Sequence, residues 1–536
     1  MTKVRKLTIL GGGGVRMPAF IRAVLASRPG AFDEICLFEP DPGRRDTICR
    51  LSAAVAVALG HPDVVTVTPD AAEAFTGADY VFSAIRVGGD RGRVIDEEVA
   101  LRRGIVGQET TGPGGCAMAL RTIPVVLSYC DLLSRCSPGA VLINFTNPAG
   151  LITQAISAHG KVRAVGVCDT PGGTVERLGA FLGADRASVS ASYGGLNHLG
   201  WVCSLQAGGQ ERMGELLARF EELQDFDHRF AAFDPAVVRR IGAIPTEYVY
   251  YFYDSRRYLD EVARAGASRG QDVLRLNTEL IAGLTQAFVD SSVDTAWSVY
   301  DTLLGVRRDT YMQTDMRGDS GQGEARARRA AHPASGLAGA QVGGYEGLAL
   351  RVIDGLSGGA PRELIVNTRN DGAHGASPGG RPPETPPHGA GPGGWPPETL
   401  PHGAGPGGWP PETLPHGASR GGWPPEVPPH GASPGGRPPR LSLDFLDPDD
   451  IVEVPARVAA DGVSPLPVTG LPRSSQALVT QVKEYERGVV EAAMTGDAGL
   501  AGVALAQHPL VPGITAAREL IAEYRAAHGR HLAYLR

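Results

Sequence analysis

The chain has 536 residues, room for roughly two to four domain-sized units, and its 51 Lys+Arg against 58 Asp+Glu leave a net charge of −7. That balance argues against a nucleic-acid partner, and no apolar run reads long enough to span a bilayer. Gly (72) and Pro (42) are in excess, and residues 371–440 concentrate it, with 18 Gly and 20 Pro that cannot build a packed core.

The N-terminus leads directly into an apolar run at residues 6–10 with no signal-peptide pattern, so a cytoplasmic protein is expected. The run reads as a strand and ends in Gly11-Gly12-Gly13-Gly14, with a helix following over 18–25. Further strands are expected at 34–38, 64–68, 79–85, 140–145 and 163–168, with helices at 44–59 and 120–134. This alternation predicts an α/β fold, a Rossmann-type doubly wound parallel sheet. From about Arg212 the pattern turns mainly helical, with 274–304 the longest stretch. Residues 307–343 are polar and Gly-rich and read as a mobile loop. Two strands, 363–367 and 451–458, should pair, and 474–494 and 513–528 are helical. The expected division is a dinucleotide-binding domain over 1–170, a mainly helical α+β domain for substrate, metal and oligomerisation over 171–370 and 441–536, and an insert over 371–440.

The insert is a tandem repeat. His374, His388, His402, His416 and His430 each open a His-Gly-Ala unit at a 14-residue spacing. With almost no aliphatic residue per unit, stacking would bury too little, so disorder with local polyproline character is expected. The seven cysteines lack framework spacing and read as reduced thiols.

The glycine run between strand and helix can hold a pyrophosphate on its backbone N–H groups. Arg16 stands where a third glycine is usual. Glu39, at the end of the second strand, suits ribose hydroxyls and disfavours a 2′-phosphate, which predicts NAD over NADP. The alternative is a plain glycine turn. Five polar segments follow, three of which begin at or near the C-terminal ends of expected strands, where ligands of doubly wound sheets gather.

Those segments carry a resemblance. KLTILGGGG, IRVGGDRGRVIDE, GQETTGPGG, LRTIPVV, NFTNPAG, GVCDTP, GLNHLGW and IPTEYVYYFY, with VEVP further on, resemble glycoside hydrolase family 4, the NAD- and metal-dependent 6-phospho-glycosidases. The resemblance implies that Cys168 and His198 ligate a divalent metal, usually Mn²⁺, although thiolate and imidazole alone would favour Zn²⁺. It implies Tyr248 as the base for the C2 proton, Glu109 as the group that raises its basicity and Asp169 as the acid. Arg93, Asn147 and Arg269 fall at substrate-binding positions. Tyr250, Tyr251 and Tyr253 read as aromatic packing.

The implied reaction is hydrolysis of O-glycosidic bonds in (6-phospho-)glucosides by C3 oxidation, C2 deprotonation and elimination. The anomer stays open: Asp169 after Cys168 fits α-acting members, whereas GQETTGPGG and GLNHLGW read closer to β-acting ones. The expected partners are a small-molecule glucoside and further copies of the chain, as a dimer or tetramer, with neither nucleic acid nor membrane. The rival is an NAD-dependent hydroxy-acid or sugar-phosphate dehydrogenase on the same fold.

Overall fold

A computed structural model of the chain describes residues 4–289, 293–310, 315–316, 344–371 and 441–536. In chain order the strands are β1 (Val4–Leu10), β2 (Phe32–Phe38), β3 (Val65–Thr68), β4 (Tyr80–Ser83), β5 (Val141–Asn144), β6 (Arg163–Gly166), β7 (Val189–Leu196), β8 (Leu199–Ala207), β9 (Gln210–Glu211), β10 (Ile244–Pro245), β11 (Arg362–Arg369), β12 (Ile451–Ala459) and β13 (Gly462–Pro465). β3-β2-β1-β4-β5-β6 run parallel, the order of a doubly wound dinucleotide fold. Beyond β6 the same sheet continues through β11, β12, β7, β8 and β10 with antiparallel pairing.

All six strands expected in the first 170 residues form, as does the pairing of β11 with β12. Strands β4 and β5 are buried along their whole length, as parallel strands covered on both faces must be. Alternate residues feed two cores. Val81 and Leu142 join a cluster with Leu120, Ile152 and the C-terminal helices, while Phe82 and Ile143 join one with Phe20, Leu284 and Tyr300.

Several elements differ from expectation. The helix expected at 120–134 begins at Pro113 and runs to Cys136, taking in Gly114 and Gly115 of GPGG. It is long and apolar enough, by length and composition alone, to cross a membrane, contrary to the reading that no run reaches that length. In the fold it is a core helix, and its Arg121 is buried in an ion pair. The described residues within 274–304 fall in two helices, Arg269–Val289 and Val293–Asp309. Arg307 therefore belongs to a helix end. The rest of the expected mobile loop, apart from residues 308–310 and 315–316, lies outside the described residues, as does the repeat insert from residue 372. The strand pair β7–β8 had no strand expectation; its glycines and polar turn hide the alternation.

One buried cluster fixes the frame of the site. Arg121 Nη1 and Nη2 each donate to Asp96, to Oδ1 and Oδ2 at 2.6 Å, and His528 Nε2 lies 2.9 Å from Oδ1. Arg121 Nε also donates to Val87 O at 2.8 Å. The cluster thus ties the helix Gly89–Leu101, the loop before it and the last helix, Ile514–His528, to the core helix. Breaking one member of such a buried pair costs about 3–5 kcal/mol.

Candidate active site

The C-terminal edge of the parallel strands gathers the candidate residues. Ser83, Asn144 and Gly166, which end β4, β5 and β6, share one rung of the sheet. Arg86, Asn147 and Cys168 follow two or three residues later on the adjoining loops. Cys168 stands at the N-cap position of the helix Asp169–Phe181 without a side-chain capping bond, and Asp169, the first helical residue, is half-buried.

At the glycine turn, Gly11 and Gly12 N–H groups donate to Phe38 O at 3.2 and 2.9 Å, which pins the turn to the end of β2. Gly13 N donates to Glu39 Oε2 at 3.0 Å, and Asp41 N to Oε1 at 3.0 Å. A Cβ on Gly13 would stand 2.5 Å from Glu39 Oε2, so only glycine permits this approach. Burial raises the Glu39 carboxyl above its usual range, partly offset by these backbone donors. A buried acceptor beside a glycine turn fits the ribose end of a dinucleotide.

The centre of the site is His198. It occupies a two-residue turn between β7 and β8, with φ of 64°. Gln108 Oε1 accepts from the N–H groups of Thr110 and Thr111, both at 2.7 Å, and from Thr110 Oγ1 at 2.8 Å. Having spent its proton there, the Thr110 hydroxyl accepts from His198 Nδ1 at 2.7 Å. That assigns the proton to Nδ1 and leaves the Nε2 lone pair facing Cys168 Sγ, 3.6 Å away. Burial holds the imidazole near pKa about 4, against the nearby Glu109 charge, so it is neutral at pH 7. Burial, then Glu453 and Asp169, push the Cys168 thiol well up. One ion bonded to both atoms at ordinary metal–sulfur and metal–nitrogen distances would span about 3.3–3.6 Å between them, so the donor pair fits. Among the described residues no group of three or more His, Cys, Asp or Glu offers a fuller metal site. Two protein donors would leave positions for substrate oxygens, which suits Mn²⁺ better than a closed zinc site.

Tyr248 lies flat on this imidazole, with ring centroids 3.7 Å apart and planes 1° from parallel. The hydroxyls of two neighbouring tyrosines are engaged elsewhere. Tyr251 OH donates to Asp315 at 2.6 Å, and Tyr253 OH accepts from Trp201 Nε1 at 3.2 Å. Glu109 is clamped by Arg86 at 2.6 Å and Arg93 at 2.9 Å. Burial opposes its ionisation, but the two guanidiniums prevail and hold its pKa at about 2. Arg93 also donates to Glu97 at 2.8 Å, and Glu97 Oε2 accepts from Gly270 N at 2.6 Å. A Cβ on Gly270 would stand 2.7 Å from that oxygen, so a larger residue there would displace the Glu97 carboxylate. Arg269 reaches Arg307 O at 3.2 Å.

Cys168, His198 and Tyr248 thus meet directly, Glu109 meets Arg93, and Arg269 is linked to Arg93 through Glu97. Asn147 stands half-buried on the loop after β5, at the same sheet edge. Some residues had no individual assignment from sequence. Arg86, Gln108 and Thr110 lay inside recognised segments without a role. Arg307 is depressed to about 9, by burial and then by the charges of Arg16 and Arg269, and no local sequence signal marks it. Glu346 is raised to about 6, by burial first and by Asp169 among lesser causes.

The model of family 4 glycosyl hydrolases matches residues 6–184, and that of the family's C-terminal domain matches residues 193–375 and 440–511. The chain belongs to glycosyl hydrolase family 4. A probable 6-phospho-beta-glucosidase of Bacillus subtilis is 24% identical to this family 4 hydrolase over 544 residues, covering 99% of this chain and 98% of the relative. A 6-phospho-alpha-glucosidase of Lacticaseibacillus paracasei is 35% identical over 205 residues, 37% of this chain and 46% of its own. The 6-phospho-beta glucosidase structure from Thermotoga maritima, with manganese, NAD⁺ and glucose-6-phosphate, aligns with TM-score 0.69 at 20% identity. It covers 98% of each chain, which shows a shared fold.

Proposed function

We propose that this family 4 hydrolase cleaves the O-glycosidic bond of 6-phosphoglucosides, using NAD⁺ and one divalent ion. The observation that carries the reading is the donor pair, Cys168 Sγ and His198 Nε2 at 3.6 Å, with Tyr248 stacked on the imidazole. Relatives named for both 6-phospho-alpha- and 6-phospho-beta-glucosides support the substrate class and leave the anomer to experiment.

When bound, the dinucleotide would supply a reversible hydride acceptor for C3 and the divalent ion a Lewis acid for the neighbouring sugar oxygens. The glycine turn and Glu39 hold the dinucleotide, and Cys168 and His198 hold the ion. Tyr248, acting as its phenolate, takes the C2 proton onto Oη and so becomes the neutral phenol, and the negative charge of Glu109 in the same site raises the basicity of that oxygen. Asp169, at the start of its helix beside Cys168, delivers a proton to the departing C1 oxygen. Arg93, Asn147 and Arg269 orient the sugar, and a guanidinium fork matches a phosphate's oxygens. A cytoplasmic homo-oligomer is part of this proposal; exposed apolar side chains on the C-terminal helices, Met494, Val503 and Ile514, are candidates for a subunit contact.

The test is metal dependence at the named residue. Chelation should silence hydrolysis and Mn²⁺ should restore it. Cys168→Ser should abolish turnover while leaving NAD⁺ affinity unchanged. Mn²⁺-dependent turnover at wild-type rates in Cys168→Ser would refute the assignment.

A further inference from the structure

We propose that Glu453 is the positioning residue that sets His198 against Cys168, an inference that rests on the reading of that pair as a metal site. The two residues stand on opposite sides of a weak seam. β6 joins β11 through one paired position, Gly166↔Asn367, and β12 joins β7 through one, Glu453↔Gly195. Asn367 and Glu453 pair with each other. A single rung therefore runs Gly166–Asn367–Glu453–Gly195, with Cys168 two residues beyond one end and His198 three residues beyond the other.

The Glu453 carboxylate binds that rung together from the side. Oε1 accepts from Asn197 Nδ2 and from Asn367 Nδ2, each at 3.0 Å, and Oε2 accepts from Tyr193 OH at 2.8 Å. Asn197 is the turn residue before His198, Tyr193 belongs to β7, and Asn367 to the strand that meets β6. The residue is 1% exposed. Burying a carboxylate is costly unless its lone pairs are taken up, and an apolar residue would fill the space more cheaply. What the carboxylate adds is direction: two donors from the β7–β8 hairpin, Tyr193 and Asn197, and one from β11, Asn367, converge on one group. Loss of a group hydrogen-bonded directly to a metal ligand typically weakens metal binding by about 10–100-fold, and Glu453 acts one residue further out, through the residue before His198.

The experiment measures Mn²⁺ affinity of the full chain with NAD⁺ present, alongside the thiolate-to-cobalt absorption of the Co²⁺ form. Glu453→Gln can keep all three hydrogen bonds, its Oε1 taking both asparagines and its amide N–H donating to Tyr193 Oη. It should bind Mn²⁺ within about threefold of wild type, whereas Glu453→Ala should lose about 10–100-fold and weaken the cobalt band, with NAD⁺ affinity unchanged. Asn197→Ala, which leaves the rung intact, should lose about tenfold and decides the matter if Glu453→Ala does not fold. Wild-type Mn²⁺ affinity in Asn197→Ala and in folded Glu453→Ala would overturn the proposal. So would equal losses in the Gln and Ala variants, which would assign the effect to charge. Absence of Cys168-dependent Mn²⁺ binding in the wild type would instead sink the metal-site reading itself.

Discussion

At the scale of single residues, the stacking of Tyr248 on His198 places a phenol against the proposed metal ligand. Tyr248→Phe preserves the ring and the stack and removes only the oxygen. Hydride transfer from C3 does not use that oxygen, so the variant should still form NADH from bound substrate. Elimination should slow by about 10²–10⁴, the usual worth of a positioned base. Rapid-mixing absorbance would separate the two steps, and normal turnover would move the base elsewhere. The donor pair was legible in sequence only because whole motifs resembled a family; a cysteine and a histidine 30 positions apart announce nothing alone. The groups that prepare them were not legible. Thr110 and Gln108 fix the imidazole tautomer through contacts across 88 residues of chain, and Glu453 acts across 256. Such pairings are made by the sheet, not by local spacing.

At the scale of elements, apolar runs bounded by turns marked each parallel strand within a few residues. Periodicity failed where glycine replaced side chains, in β7. The helices Arg473–Thr495 and Ala498–Ala506 enclose a further group with a measurable signature. His508 is 2% exposed, packs edge-on to Tyr485 with centroids 4.7 Å apart, and accepts from Leu510 N at 3.2 Å. Burial lowers its pKa to about 3. Between about 3 and its unfolded value near 6.5, the unfolded chain binds the extra proton, so stability rises with pH across that window. Acidification below about 6.5 should therefore cost about 1.4 kcal/mol per pH unit from this residue. His508→Asn retains an acceptor for Leu510 N–H. It should flatten the pH dependence of stability between pH 6 and 4 by about one proton, read from denaturant unfolding. An unchanged slope would mean the ring is not the titrating group.

At the scale of the whole molecule, the first 170 residues and the later strands share one sheet, and the insert interrupts only the connection from β11 to β12. That connection is closed without it. Arg369 pairs with Ile451, and Asn370 Nδ2 donates to Leu443 O at 2.8 Å while Leu443 N donates to Asn370 Oδ1 at 2.8 Å. Removing residues 374–439 and joining the flanks by a short Gly/Ser turn should leave the melting temperature and turnover nearly unchanged, since loop length enters closure entropy only logarithmically. A large drop in either would give the repeat a structural role. The central claim is redox-assisted elimination on a phosphorylated sugar. Its most direct test is hydrolysis of α- and β-linked aryl 6-phosphoglucosides, beside their unphosphorylated counterparts, in D₂O with NAD⁺ and Mn²⁺. The account predicts cleavage of a phosphorylated substrate, deuterium at C2 of the released glucose 6-phosphate and no accumulation of NADH. Cleavage without deuterium at C2, or NADH accumulating in proportion to substrate, would contradict it.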